Sequence, residues 1–146
     1  MAQTSTVTVD HSEMRDAFEF VSIGDSLGAE AYISRETGKI YLRTVDGFME
    51  EDEVPDDDLE TDRYIAVPHK TELDLGRRLA LRFTDDELPG DLDTVEDLFR
   101  RRGAYAGFKR LLEARGALQR WYDYEERATD EALRAWCQDN DIQLIG

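Results

Sequence analysis

EAYISRETGKIYLRTV, residues Glu30 to Val45, holds two alternating apolar and polar runs joined by Glu36-Thr37-Gly38-Lys39. Alternation with period two marks half-buried strands, and a glycine in the joining turn supplies the positive φ that a tight hairpin needs. A β-hairpin is therefore predicted here. Upstream, AFEFVSI (Ala17 to Ile23) alternates Phe18 and Phe20 with Glu19 and reads as a third antiparallel strand. Downstream, RYIAVP returns to strand composition and stops at Pro68, which has no N–H to give to a ladder.

Past Pro68 the apolar spacing changes to that of helices. TELDLGRRLALRF (Thr71 to Phe83) sets Leu75, Leu79 and Phe83 four apart, with Thr71 as N-cap and acids in the first turn. DDELPGD breaks that pattern. A second helix is predicted from Asp93 or Thr94 to a stop at Gly103, through Val95, Leu98 and Phe99, and a third carries Tyr105, Phe108, Leu111 and Leu112 to a stop at Gly116. From Ala117 to Asn140 there is no Gly or Pro, and Leu118, Trp121, Tyr122, Ala128, Ala132, Leu133 and Trp136 make a broad apolar stripe. Thr129-Asp130-Glu131 has the composition of a helix start and divides this segment into two helices, after which IQLI adds an edge strand. Strands first and helices after predict an α+β fold, with an N-terminal antiparallel sheet of three to four strands followed by four or five helices packed on one face.

Residues 1–15 read as a flexible N-terminal tail, in which only Val7 and Val9 suggest strand, and residues 16–146 as a single α+β domain containing an acidic loop at 47–62. The segment Glu50 to Asp62 carries acid upon acid with no base, and Pro55 sits within it. The whole chain has a formal net charge of -16, Asp outnumbers Glu, and lysine occurs only as Lys39, Lys70 and Lys109. Such a surface repels itself, and salt relieves the repulsion by shortening the Debye length to about 3 Å at 1 M. Halophilic adaptation is the expectation, with mimicry or repulsion of nucleic acid as the competing explanation. Lone Cys137 has no internal disulfide partner, and no charged-then-apolar leader or run of about 18 apolar residues is present, so a cytoplasmic protein that avoids membranes is expected.

Four blocks in order, EAYISRETGKIY, RYIAVPHKTELDLGRRLALRF, FRRRGAYAGFKRLLEARG and WYDYEERATDEALRAWCQDN, resemble the uncharacterised bacterial protein family numbered 0158 over roughly Asp16 to Ile145. The resemblance implies a small cytoplasmic bacterial protein and carries over no catalytic or ligand residue.

The residues with chemical interest concentrate around RRRGAYAGFKRLL, Arg100 to Leu112. Between Arg100 and Arg120 there are seven basic residues and one acid, Glu113, interleaved with Tyr105 and Phe108 and followed just beyond by Trp121 and Tyr122. A phosphate-gripping face with rings for bases to stack on is one reading. The other places the rings on the helix core stripe and Arg100 to Arg102 in the last turn of their helix, where cations favour the macrodipole. His69 stands between a strand and a helix, where catalytic groups are often held, but no serine or cysteine nucleophile motif accompanies it. Two His and one Cys exclude the usual tetrahedral zinc site. DDELPGDLDTVE imitates a calcium loop through Asp85, Glu87, Gly90, Asp93 and Glu96, yet Pro89 takes a ligand position, so no metal site is expected. Gly76 and Gly107, each inside a predicted helix, suggest close approach of another group.

These features predict a non-enzymatic binding or regulatory module without cofactor, contacting an acidic protein partner or ligand through Arg77, Arg78, Arg102, Tyr105, Lys109, Arg110 and His69. Nucleic-acid binding through residues 100–120 and an enzyme using His69 are the alternatives. Halophilic adaptation makes thermal stability rise between low and molar salt; a melting temperature that falls over that range contradicts it.

Overall fold

Asp10 sets the junction between the first described strand and the first helix. Its carboxylate accepts hydrogen bonds from the backbone N–H of Ser12 at 2.9 Å and of Glu13 at 3.2 Å, the arrangement that satisfies free donors at a helix N-terminus. In the computed structural model, which describes residues 6–24, 27–48 and 61–146, strand β1 (Val7–Asp10) leads directly into helix α1 (His11–Ile23). The described part of the segment expected to be a tail is thus ordered structure, and the expected strand AFEFVSI is helix. The physical reason is spacing: Met14, Ala17, Phe18 and Val21 are the buried residues and fall at helical intervals, while Glu19 faces water.

The hairpin forms as the sequence requires. Strands β2 (Glu30–Ser34) and β3 (Ile40–Thr44) pair antiparallel, with Tyr32 opposite Tyr41 and Ile33 opposite Ile40. Gly38 takes φ 79°. A Cβ at that position would collide with the carbonyl oxygen of Thr8, so this glycine is required both by its backbone angle and by the approach of the hairpin tip to β1. The Ser34 hydroxyl accepts from the N–H of Glu36 and of Thr37 and tightens the turn. Strands β4 (Gly47–Phe48) and β5 (Tyr64–Ala66) complete a four-stranded sheet in the order β4-β3-β2-β5. Most of the predicted acidic loop lies outside the described residues.

After β5 the chain is largely helical: α2 (Arg77–Glu87), α3 (Leu92–Leu98), α4 (Ala104–Ala114) and α5 (Leu118–Asp139), with strand β6 (Ile142–Ile145) last. The fold is α+β, with strands mainly in the N-terminal half and helices following. Leu118–Asp139 form one long helix instead of the two predicted. Trp121, Thr129, Leu133 and Cys137 are all buried at intervals of four or eight, so Thr129 is held in a continuous stripe and has no free end to cap. Helix α2 begins later than predicted. Thr71 lies in a short 3₁₀ turn (Lys70–Leu73), and Gly76, expected inside the helix, is its N-cap. Gly107 does mark a close approach, its missing Cβ falling 3.1 Å from the Leu98 side chain.

The chain forms two compact units, Met1–Lys70 with Leu133–Gly146 and Thr71–Ala132. In the first, β1 and β6 pair in parallel, with Val7 opposite Ile142 and Val9 opposite Leu144, and Met14, Phe18, Ala31 and Ile33 are buried. In the second, the core is a ring cluster. Trp121 meets Phe108 edge-on at 5.1 Å and Phe83 at 5.4 Å between centroids, and Phe108 meets Phe99 at 5.7 Å; each such pair adds roughly 0.5–1.5 kcal/mol beyond burial. No helix among the described residues is long and apolar enough to cross a membrane.

Cys137 is buried, and burial pushes its thiol up to about 11 from an ordinary value of 9.0. Its folded pKa is the higher, so between those values the unfolded chain alone releases this proton and stability falls as pH rises. The native thiol should therefore resist a thiolate-selective reagent at pH 8 and react at once after denaturation; rapid labelling of the native chain contradicts this burial.

Candidate functional site

Most of the sequence-derived site residues lie in the helical unit. That unit holds 11 of the chain's 18 Lys and Arg residues, set against 15 acids, so it is far less negative than the remainder. Arg77 and Arg78 open α2. Its first turn contains no acid and its N-cap, Gly76, offers no side chain to the free N–H groups, so two cations stand at the positive end of a helix dipole. Helix α4 starts in the same way. Gly103, at φ 71°, precedes it without a side-chain cap, its first turn has no acid, and Arg100, Arg101 and Arg102 come immediately before.

Those three arginines differ from the sequence expectation. Helix α3 ends at Leu98, and the N–H groups of Phe99, Arg100 and Arg101 donate to the carbonyls of Val95, Asp97 and Leu98, so the arginines occupy the turn between two helices and not a last helical turn. Arg101 pairs with Asp97 at 2.7 Å. Further along, Arg115 makes two hydrogen bonds to Asp91, at 2.9 and 3.0 Å, and Arg120 lies 3.6 Å from Glu87. The hydrogen-bonded Arg115 guanidinium holds the Asp91 carboxyl below its ordinary range. Arg78 reaches Asp74 at 3.3 Å. By contrast, Arg77, Arg100, Arg102 and Arg110 are exposed and have no carboxylate at ion-pair distance among the described residues.

Tyr105 links the two helix starts. Its hydroxyl oxygen lies 3.8 Å from where a Cβ of Gly76 would stand, and its ring meets Phe99 edge-on at 5.3 Å. Burial, and then the Glu125 carboxylate, raise the phenol above its ordinary range, which keeps it a neutral donor and acceptor. Lys109 sits over the Tyr122 ring, 5.6 Å from its centroid, and Arg110 follows on the outward side of α4. The structure thus brings Tyr105 beside the start of α2 and gives Lys109 a ring partner. His69 belongs to the sheet-bearing unit, half-buried just after Pro68.

The rings of the basic segment are mostly interior. Phe108 is 0% and Trp121 1% exposed, and Tyr105 is half-buried. The calcium-loop imitation is absent from the structure, because Asp85 and Glu87 belong to α2 while Asp93 and Glu96 belong to α3. Sequence reasoning missed one polar cluster on the sheet. The Tyr32 hydroxyl donates to Glu30 at 2.7 Å, and Arg43 bonds Glu30 at 3.2 Å while lying 5.0 Å from the Tyr32 ring centroid. Only the cross-strand register, Glu30 opposite Arg43, assembles it, and its members satisfy one another. Comparison with protein families, with curated proteins and with solved structures finds no match, so the site is interpreted from its own chemistry.

Proposed function

We propose that the helical unit is a non-enzymatic binding module for an acidic protein partner, engaged through Arg77, Arg102 and Arg110 around Tyr105, with Arg78 and Lys109 at the margins. The observation that carries this reading is the pair of helix starts, α2 and α4, each without an acid in its first turn and each bordered by arginines. Arg77 and Arg78 oppose the α2 macrodipole by roughly 0.3–1 kcal/mol each, and a carboxylate from a partner offsets that cost while accepting hydrogen bonds from the free N–H groups at both helix starts. Nucleic acid is the weaker partner on this reading, since sequence-tolerant grip on single strands relies on exposed rings and Phe108 and Trp121 are in the core. The bacterial, cytoplasmic and salt-adapted setting drawn from resemblance and composition belongs to the same proposal.

Capture from native extract with the tagged full chain tests it. An acidic protein should be recovered in constant ratio, withstand nuclease, and bind about tenfold or more weakly after Arg77→Glu with Arg102→Glu. Recovery of a nuclease-sensitive RNA or DNA fraction instead, or binding indifferent to the two reversals, overturns the proposal.

A further inference from the structure

The two edges of the β1–β6 sheet are treated differently. Against the outer edge of β1 lies the hairpin tip, with Gly38 set where a Cβ would meet the Thr8 carbonyl and, at 3.1 Å, a methyl group of Val7. For β6, the Val7 N–H donates to the Asp141 carbonyl at 3.0 Å and Val7 is in register with Ile142. In a parallel ladder this phase assigns Asp141, Gln143 and Ile145 to bonding with β1. The backbone groups of Ile142 and Leu144 therefore point away from β1, and no strand among the described residues pairs with them. An open edge of this kind is a template for another strand. Beside it runs a groove of about 400 Å³, lined by Arg134, Cys137 and Gln138 of α5, by Thr6, and by Asp141 to Leu144. Ile145 is 49% exposed.

We propose that this edge pairs antiparallel with β6 of a second copy of the chain, about a twofold axis through Gln143. The register makes β6 complementary to itself. Ile142 of one copy and Leu144 of the other become a hydrogen-bonded pair, each N–H donating to the opposite carbonyl, and symmetry repeats the pair to give four bonds. Val7, Val9 and Ile142 are buried while Thr8, Gln143 and Ile145 are exposed, so the Ile142 and Leu144 side chains of the added strand fall on the buried side, beside the groove. On the other side the two Gln143 amides stand opposite each other. From Ile142 to Gly146 the chain carries no side-chain charge, so no like charges oppose one another across the strands, an arrangement that would destabilise the pair. In a chain of formal charge -16 the strand Ile142–Ile145 is an uncharged stretch, with Asp141 and Arg134 beside it, where two copies can meet, and salt that screens the remaining repulsion should strengthen the dimer.

Sedimentation equilibrium of the full chain at about 0.1 M and about 1 M salt tests this, since the Debye length falls from about 10 to about 3 Å between them. The expected result is a reversible dimer favoured by molar salt, a dependence opposite to that of an arginine-held acidic partner. Leu144→Pro removes an outward N–H without removing a ladder donor, and Gln143→Lys, at an exposed position, sets two cations opposite each other. Each should raise the dimer dissociation constant at least about tenfold with an unchanged circular dichroism spectrum. Gln143→Cys should give a disulfide-linked dimer on oxidation. If Leu144→Pro unfolds the chain, Gln143→Lys decides alone. A chain that stays monomeric at both salt concentrations, or a dimer indifferent to Gln143→Lys and not trapped by Gln143→Cys, overturns the proposal.

Discussion

The sheet-bearing unit depends on the parallel pairing of β1 with β6, which joins residues 7–10 to residues 142–145. Parallel strands need a long connection, and here nearly the whole chain supplies it. The pairing sets demands at both of its ends. Asp10 must end β1 and cap α1 at the same residue. At the other end, Asn140 accepts the end of α5 by donating its side-chain amide to the Trp136 carbonyl at 2.8 Å, and Asp141 turns the chain with φ 58°, a left-handed geometry that Asp tolerates better than most residues. Gly38 answers to the same strand, since a side chain there would displace the hairpin tip from Thr8.

Charge is distributed unevenly along this fold. Exposed ion pairs such as Arg78 with Asp74 or Arg101 with Asp97 contribute at most about 1 kcal/mol, so the arginines are poorly explained as stabilising devices. Arg77 and Arg78 lie where local electrostatics disfavour them, at a helix start, and Arg77, Arg100, Arg102 and Arg110 face water without a carboxylate partner among the described residues. The aromatic residues between them have a different purpose. Phe108 and Trp121 form the ring core of the helical unit with Phe83, and that core, more than any salt bridge, holds the arginines in place.

Much of this was legible from local sequence. The 30–44 hairpin with Gly38 at its turn and the helix stopping near Gly116 followed from period and punctuation, because each is stabilised by neighbours close in the chain; the strand before Pro68 was legible by composition although its partner is the distant β2, whereas the second helix ends at Leu98 and Gly103 instead precedes α4. The first 23 residues were not, since Phe18-Glu19-Phe20 fits a strand or a helix face equally, and the N-cap at Asp10 that decides between them gains meaning only once Val7 and Val9 have a partner 135 residues away. Thr129 misled for the complementary reason: it resembles a cap in composition, but burial in the α5 stripe overrides local preference. For the candidate site, the arginines were legible by type, while their position at two uncapped helix starts and the approach of Tyr105 to Gly76 required the fold.

The most direct measurement is amide hydrogen exchange at Val7 in the full-length chain. If the β1–β6 pairing closes the sheet-bearing unit, the Val7 amide, which donates to the Asp141 carbonyl, exchanges as slowly as the amides of Ala31 and Ile33 in the centre of the larger sheet. Exchange at Val7 as fast as that of an unstructured peptide would contradict the account, leaving β6 without its partner and the fold without the constraint on which its first and last elements depend.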